Sequence, residues 1–444
     1  MEFSFQDLQL AAQCANANTA EVESKLESAR LAQSKKADEV GVDDEEVIPR
    51  VTHAANSAIA CAGDSVTIKK TIDCGRFVAA TKDIQIGEVI AVEKAFVAIA
   101  HADPDVTATH CQQCLRMNYA PVPCDQCTFA MYCSAACKSH AWKHHHQFEC
   151  LIVSPSLPLL TRFAIRLAII TAPLYDVIET YPTENDLPEE RYESDRYKEI
   201  HNLCTNTPMR SVADLFRRSV TAALIYELVE ANTTFFTTAN DLGPRKNRDV
   251  FKGLLLRHMQ TGPSNFHTIN EKLRSVSGSA PPSGSMIEVG AGAYSFLSMV
   301  NHSCAPNVMR HCYGATTVLR AIRFIRQGEE LLDNYGYHFA VMPRNERRQQ
   351  LKSQYLFDCN CEACKEDWPF YHDLKIVAGQ PDVSADEIAA VEAADRKSIL
   401  RILDALIGKA RVLTAVRQPA ANIEGVQECI KECYSRLANK RFVD

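Results

Sequence analysis

Asn301-His302-Ser303-Cys304-Ala305-Pro306-Asn307 is the stretch on which the reading of this chain turns. Taken alone it says little, because an Asn-His pair commonly just serves a turn. Its meaning comes from further along, where Cys359-x-Cys361-x2-Cys364 places three more cysteines close together. Upstream, a denser block reads Cys111-x2-Cys114-x9-Cys124-x2-Cys127-x5-Cys133-x3-Cys137-x8-His146-x3-Cys150. The two clusters hold 11 of the 18 cysteines, so cysteine use here is organised. The residues after Met1 (Glu2, Gln6, Asp7) lack the basic region and apolar core of a secretory signal. Reduced thiols in the cytoplasm, the nucleus or both are therefore expected, and Cys-x2-Cys spacing then favours metal over disulfides.

Zinc takes four sulfur or imidazole ligands in a tetrahedron, and closed sets of this kind are structural. The eight ligands between 111 and 150 make two such sites. An interleaved pairing is expected: Cys111, Cys114, Cys133 and Cys137 on one ion, Cys124, Cys127, His146 and Cys150 on the other. Among the contiguous His144, His145 and His146, the last is chosen because His-x3-Cys suits one helical turn ending on Cys150. So small a module has little apolar core, so the metal supplies much of its folding free energy. The block resembles a MYND zinc finger in the order of all eight ligands and in the Tyr132-Cys133 step. That resemblance implies a protein-interaction module for proline-containing peptides; a purely structural staple is the other reading. Nothing here carries the base-contact pattern of ββα fingers, so sequence-specific nucleic-acid binding is not expected.

Composition sets the outer bounds. A net charge of -7 over 444 residues and a pI near 6.1 exclude a generally basic nucleic-acid binder. The most apolar stretch, Leu159 to Tyr175, carries Arg162 and Arg166 at helical spacing, which predicts an amphipathic core helix and no membrane span. Residues 1–50 predict helix around Ala20–Lys35 and then an acidic run, Asp43 to Glu46. From Ser65 to Ile99 short apolar runs broken by Asp83 and Gly87 predict paired strands. Residues 151–260 read as helix with an acidic loop at Glu179–Tyr197, and Ser275 to Ser285 as a turn-rich loop. Val308–Arg310 and Thr316–Ala321 around Tyr313-Gly314 predict a hairpin. Two C-terminal stripes, Ile399, Ile402, Leu403, Leu406, Ile407, Ala410 and Ile423, Val426, Ile430, Cys433, Leu437, predict core-facing helices.

Four strings in one order carry a second resemblance: Gly75-Arg76-Phe77-Val78, Asn265-Phe266-His267-Thr268-Ile269, the Asn301–Asn307 turn, and Gly328-Glu329-Glu330-Leu331-x3-Tyr335 leading to Tyr355-x-Phe357-x-Cys359. Together they resemble the split SET domain of lysine methyltransferases and, with the finger inserted, the SET-and-MYND (SMYD) family, leaning towards its tetratricopeptide-bearing branch. The implied architecture is α+β, a β-rich SET core split by the finger and a helical insert. Its divisions are a helical or mobile N-terminal extension (1–64), the first part of the SET domain (65–110), the MYND finger (111–150), the helical insert (151–260), the catalytic core (261–358), a post-SET zinc segment (359–370) and a helical C-terminal region (371–444).

The resemblance also implies roles. Arg76, Asn265, Asn301 and His302 would line an S-adenosylmethionine pocket, with Phe357 stacking on the adenine. Tyr335 would be the catalytic tyrosine, and Tyr355 would border both the cofactor and the lysine channel. Cys304, Cys359, Cys361 and Cys364 would hold a third zinc ion. The implied activity is methyl transfer from S-adenosylmethionine to lysine side chains of a protein substrate, by a monomer that needs no membrane. The alternative is a catalytically weak scaffold or corepressor acting through the finger. Two departures stand out. Phe77 occupies a position where the family has glycine, which predicts another backbone path there, and Asp333-Asn334 makes the approach to Tyr335 unusually polar.

Overall fold

The computed structural model describes residues 48–72, 75–174, 191–238, 244–275, 286–393 and 396–443. The expected helix at Ala20–Lys35, the acidic run at Asp43–Glu46, most of the Glu179–Tyr197 loop and the stretch after Ser275 lie outside these residues.

The first strands are β1 (Val66–Thr71) and β2 (Gly75–Ala80), paired antiparallel, followed by β3 (Val89–Lys94) and β4 (Val97–Ala100). Two short strands, β5 (Val122–Pro123) and β6 (Met131–Tyr132), belong to the cysteine-rich module, with helix α1 (Ala135–Ala141). The helical insert contains α2 (Leu159–Thr171), α3 (Val212–Asn232) and α4 (Pro244–Asn265). The chain returns to strand with β7 (Phe266–Ser275), β8 (Met286–Ala293), the two-residue β9 (Asn301–His302), β10 (Val308–Tyr313), β11 (Thr316–Ala321) and β12 (Leu332–Asp333). It ends in α5 (Arg344–Tyr355), α6 (Ala385–Ala393), α7 (Arg396–Leu413), α8 (Ala421–Leu437) and β13 (Lys440–Val443).

Small sheets wrap one core. The hairpin β10–β11 forms as predicted and adds β3 at its open edge. A second sheet runs β13-β7-β8-β4. Its inner face and the hairpin enclose Val78, Ile84, Ile90, Val289, Leu319 and Leu331, all fully buried. In β8, Gly290 is obligatory. A Cβ there would stand 2.2 Å from the Ile99 carbonyl oxygen on the neighbouring strand. On the far side Phe163, Leu167, Phe251 and Leu255 of the insert pack against Val97, Ile99 and Ala293. The C-terminal stripes bury as predicted, with Ile399, Leu406, Val426 and Ile430 packed onto Ile86 and Ile322.

Three findings correct the sequence reading. Phe77 needs no special backbone: it is an ordinary strand residue opposite Lys69, and Gly75 takes the left-handed conformation at φ 66°. Helix α2 is not amphipathic, because its arginines are buried too. Arg162 donates to the Ala100 carbonyl (3.1 Å) and Arg166 to those of Ala98 (3.0 Å) and Gln112 (3.3 Å), so both read as polar bolts inside the core. Finally, the C-terminal end is strand: β13 pairs parallel with β7, Lys440 opposite Lys272. No described helix is long and apolar enough to cross a membrane.

Candidate active site and metal centres

Three cysteine-rich groups converge with all ligand atoms of each within 4.8 Å of one another: Cys111, Cys114, Cys133, Cys137; Cys124, Cys127, His146, Cys150; and Cys304, Cys359, Cys361, Cys364. A tetrahedron with zinc–sulfur bonds of about 2.3 Å has edges of about 3.8 Å. The observed edges are 3.6 Å (Cys114–Cys133), 3.5 Å (Cys133–Cys137), 3.9 Å (Cys124–Cys150), 3.6 Å (Cys127 Sγ–His146 Nε2) and 3.6 Å (Cys304–Cys364). These separations are far too long for disulfides, and all twelve residues fit zinc.

Charge points the same way. Within the third group, hydrogen bonds from Cys304 first, then from Cys359 and Cys364, pull the Cys361 thiol far below its ordinary range. Those same contacts drive Cys304 the other way. Four thiolates cannot coexist there without a cation between them, and a dication removes the conflict.

Local structure explains the ligand choice in the first block. Residues Trp142–His146 form one wide π-helical turn, a device frequent at functional sites. It aims His146 at Cys127, and burial pushes the His146 imidazole down to about 4, which keeps it neutral for ligation. His145 faces the opposite way, with Nδ1 on Glu149 Oε2 (2.9 Å) and Nε2 on Gln113 (3.1 Å). Glu149 in turn grips Arg166 of α2 through Nε (2.8 Å) and Nη2 (2.9 Å). This buried knot fastens the small module to the insert.

The third group sits beside the aromatic residues. Tyr335 and Tyr355 lie with ring centroids 4.8 Å apart. The Tyr335 hydroxyl donates to the Val300 carbonyl (2.8 Å), and its backbone N–H donates to His302 Nδ1 (3.1 Å). Because Nδ1 accepts, the neutral ring carries its proton on Nε2, which faces Cys304 Sγ at 3.4 Å. His302 therefore links the cysteine group to the backbone of Tyr335. Phe357 lies 6.1 Å from the His302 ring. Between the two aromatics Leu356 ends α5 in the left-handed conformation (φ 65°), so consecutive odd-numbered side chains turn to different neighbours. The parallel pair β9–β12 brings Asn301-His302 beside Leu332-Asp333 and sets this register.

The remaining predicted residues form a belt behind the tyrosines. Arg76 donates to the Asn202 carbonyl (2.6 Å) and Asn265 to that of Cys204 (2.9 Å), so one segment of the insert lies against both. The Asn265 carbonyl accepts from Ser298 (2.7 Å), two residues before Val300, and Asn301 donates to Glu330 (2.8 Å). At that wall the buried side-chain oxygen of Asn202 has no hydrogen-bond partner. A guanidinium, two carboxamides and an orphaned acceptor suit a ligand bearing both amine and carboxylate, as an amino-acid-bearing sulfonium nucleoside does.

In front, Tyr335 and Tyr355 open onto a cleft of about 1060 Å³ between the strand core and the C-terminal helices. Burial, and then the Asp333 carboxylate, push the Tyr335 hydroxyl well above its usual range, and burial pushes Tyr355 up to about 12. Both stay neutral donors at physiological pH.

The family model described as SET domain matches residues 75–336. The chain belongs to the SET-domain family. Its relatives include Protein-lysine N-methyltransferase SMYD4 of Mus musculus, 28% identical over 70% of this chain and 47% of that protein. Histone-lysine N-methyltransferase SMYD3 of Mus musculus is 28% identical over 57% of this chain and 51% of that protein. A SET and MYND domain-containing protein of Dictyostelium discoideum is 24% identical over 68% and 82%. The chain thus spans about half the length of the first two. The matched SET span runs from Gly75 to Gly336 and encloses the two-site cysteine module and the insert; Tyr355, Phe357 and the Cys359–Cys364 trio follow it.

Two parts of this SET domain escaped the sequence reading. Glu93, fully buried in β3, accepts the N–H groups of Phe296 and Leu297 (2.9 Å each) and so fixes the turn that presents Val300 to Tyr335. A charge on a strand otherwise reading Val-Ile-Ala-Val was the only signal. The second part is the wall of the cleft beside Tyr335. Arg310 pairs with Asp333 and donates to His267 Nδ1 (2.7 Å), whose Nε2 faces Ser298 (3.2 Å). Only Asp333 was legible as a departure; Arg310 and His267 looked like ordinary strand residues.

Proposed function

We propose that this chain is an S-adenosylmethionine-dependent protein lysine methyltransferase. The observation that carries it is the Tyr335–Tyr355 pair at the head of the cleft, with Tyr335 held at its hydroxyl by Val300 and at its backbone by His302. The names of the relatives support the same reading.

Bound in the belt formed by Arg76, Asn265, Asn301, His302 and Phe357, the cofactor supplies an electrophilic methyl group on a sulfonium. The chain's own task is to deliver a neutral amine in line with it. A free lysine has a pKa of about 10.4, so its ammonium must lose a proton first. Aromatic, partly desolvated walls disfavour the charged form and lower that pKa. The Tyr335 hydroxyl donates its hydrogen bond to the Val300 carbonyl and keeps lone pairs for an amine N–H. Tyr355 closes the opposite side, so catalysis is mainly positioning. His302 ties this geometry to the third cysteine group, whose thiols would hold zinc.

One observation favours a second reading. The Arg310–Asp333 pair with His267 gives the cleft a charged wall, which suits a slow enzyme or a scaffold that recruits partners through the finger, for instance proline-containing peptides. On either reading the reduced thiols suit the cytoplasm or nucleus. Replacing Tyr335 by phenylalanine separates the two. Methyl transfer should fall by about 10²–10³ while calorimetric affinity for S-adenosylhomocysteine holds within about two-fold. A fully active variant removes Tyr335 from the reaction; wild-type protein that binds the cofactor product but labels no protein favours the scaffold.

A further inference from the structure

The cleft in front of Tyr335 has a second, acidic wall. Helix α8 brings Glu424, Glu428 and Glu432 to one face at four-residue spacing, and all three line the cleft. Glu432 is engaged by Lys272 (2.8 Å) and Arg436 (2.7 Å). Glu428, at the rim, pairs with Lys431 (2.6 Å). Glu424 differs from both. It is 2% exposed, and its Oε2 has no hydrogen-bond partner. The facing basic group is His338, three residues after Tyr335, with Nε2 at 3.8 Å, beyond hydrogen-bond reach. Burial pushes the Glu424 carboxyl up to about 7 and the His338 imidazole down to about 4, so neither compensates the other. Lys431 and Arg323 act on Glu424 only from a distance; Arg323 donates to the Ala305 carbonyl.

Ligand atoms of His338, Glu424 and Glu428 lie within 4.8 Å of one another, a spacing a divalent ion could use. The tautomer argues against it. His338 Nδ1 accepts the Ala340 N–H (3.2 Å), which leaves the ring proton on Nε2, and a protonated nitrogen has no lone pair for a metal. What the site lacks is a cation that brings its own donors. A guanidinium does so, and its planar fork can serve two carboxylates at once.

We propose that Glu424, with Glu428 at its mouth, is a subsite for an arginine side chain of the protein substrate, at a fixed sequence distance from the lysine presented to Tyr335. This rests on the methyltransferase reading, and names the class of segment that reading leaves open: a basic one.

The test uses fluorescein-labelled peptides with one lysine in an Ala/Ser/Gly background, and a single arginine placed in turn at each of about six positions on either side. Anisotropy with the zinc-loaded chain and S-adenosylhomocysteine gives Kd. Arginine at one position should tighten binding by about thirty-fold, the lower range for a partnered, desolvated charge. In Glu424→Gln, an isosteric change, the advantage should shrink to within about two-fold, and in Glu428→Gln to an intermediate value. An arginine advantage unchanged in Glu424→Gln, or none at any position, overturns the subsite. So does a Mn2+ isotherm, measured calorimetrically without peptide, that Glu424→Gln abolishes. Methyl transfer to the same peptides is scored separately by mass. Arginine-dependent binding without transfer keeps the subsite and removes the methyltransferase reading; transfer without arginine preference does the reverse.

Discussion

Glu149→Gln is the substitution that most directly probes how the cysteine-rich module is held to the rest of the molecule. Both partners of the Glu149–Arg166 pair are nearly dry, with side chains 2% and 7% exposed. Burial alone would raise the Glu149 carboxyl, yet Arg166 and then His145 hold it far below the usual carboxylate range. Glutamine keeps the shape but removes the charge. It also sets an NH2 group against either the Arg166 guanidinium or the His145 N–H, a donor facing a donor. Breaking one side of a buried, hydrogen-bonded ion pair costs about 3–5 kcal/mol, most of it from the stranded partner. Arg166 then keeps the Ala98 and Gln112 carbonyls and at most the single glutamine oxygen, none of which neutralises its charge, so the lower part of that range is expected. The loss should be local at first: the module should detach and release zinc before the strand core melts. A chromogenic zinc chelator followed along a urea series reads this directly, with far-ultraviolet circular dichroism for the whole chain. Zinc release should move to lower urea by the equivalent of about 3 kcal/mol, and Arg166→Met added to Glu149→Gln should restore part of it. If Glu149→Gln releases zinc within about 1 kcal/mol of the wild type, the knot is not what fastens the module.

Cys361→Ser should lower the metal content from about three zinc ions per chain to about two and weaken S-adenosylhomocysteine binding, since Cys304, which faces His302, loses one of the thiols that fix it; elemental analysis with calorimetry checks both. Burial pushes the Glu93 carboxyl from 4.5 up to about 7. Its protonated form is favoured in the folded state, so its contribution is full below about pH 4.5 and fades as pH rises through 7, by about 3 kcal/mol in all. The stability of wild type relative to Glu93→Gln should therefore fall over that window in denaturant titrations, and a flat difference refutes the assignment. Arg310→Met strands Asp333 and should cost about 2–4 kcal/mol, while Arg310→Met with Asp333→Leu should recover stability and, if the charged wall slows lysine entry, raise the methyl-transfer rate.

Much of this was legible because cysteine spacing and helical periodicity are local signals. The eight ligands between 111 and 150 fall into the two groups that their intervals suggested, and the stripes from Ile399 and Ile423 face the core. That Cys304 joins Cys359, Cys361 and Cys364 was implied by the family resemblance and by no interval. What was hidden depends on contacts between distant segments. Lys440–Val443 has no strand pattern of its own; it is a strand because β7 offers a free edge. Arg162 and Arg166 mimic a wet helix face, and only the carbonyls of β4 and Gln112 show why they are dry. Arg310, Asp333 and His267 lie on three separate segments, and no interval announces that their side chains meet until the cleft wall assembles them. The Phe77 departure is absorbed for the opposite reason, since Gly75, two residues earlier, supplies the bend.

Leu356 has a consequence of its own. A branched side chain in the left-handed region is uphill by about 1–2 kcal/mol, and here it is pinned between helix α5 and the cysteine trio that starts three residues later. Its backbone N–H donates to the Lys352 carbonyl, so this residue closes the helix and reverses the chain in one step. The aromatic wall of the cleft and the sulfur cluster are thereby divided by a single capping residue.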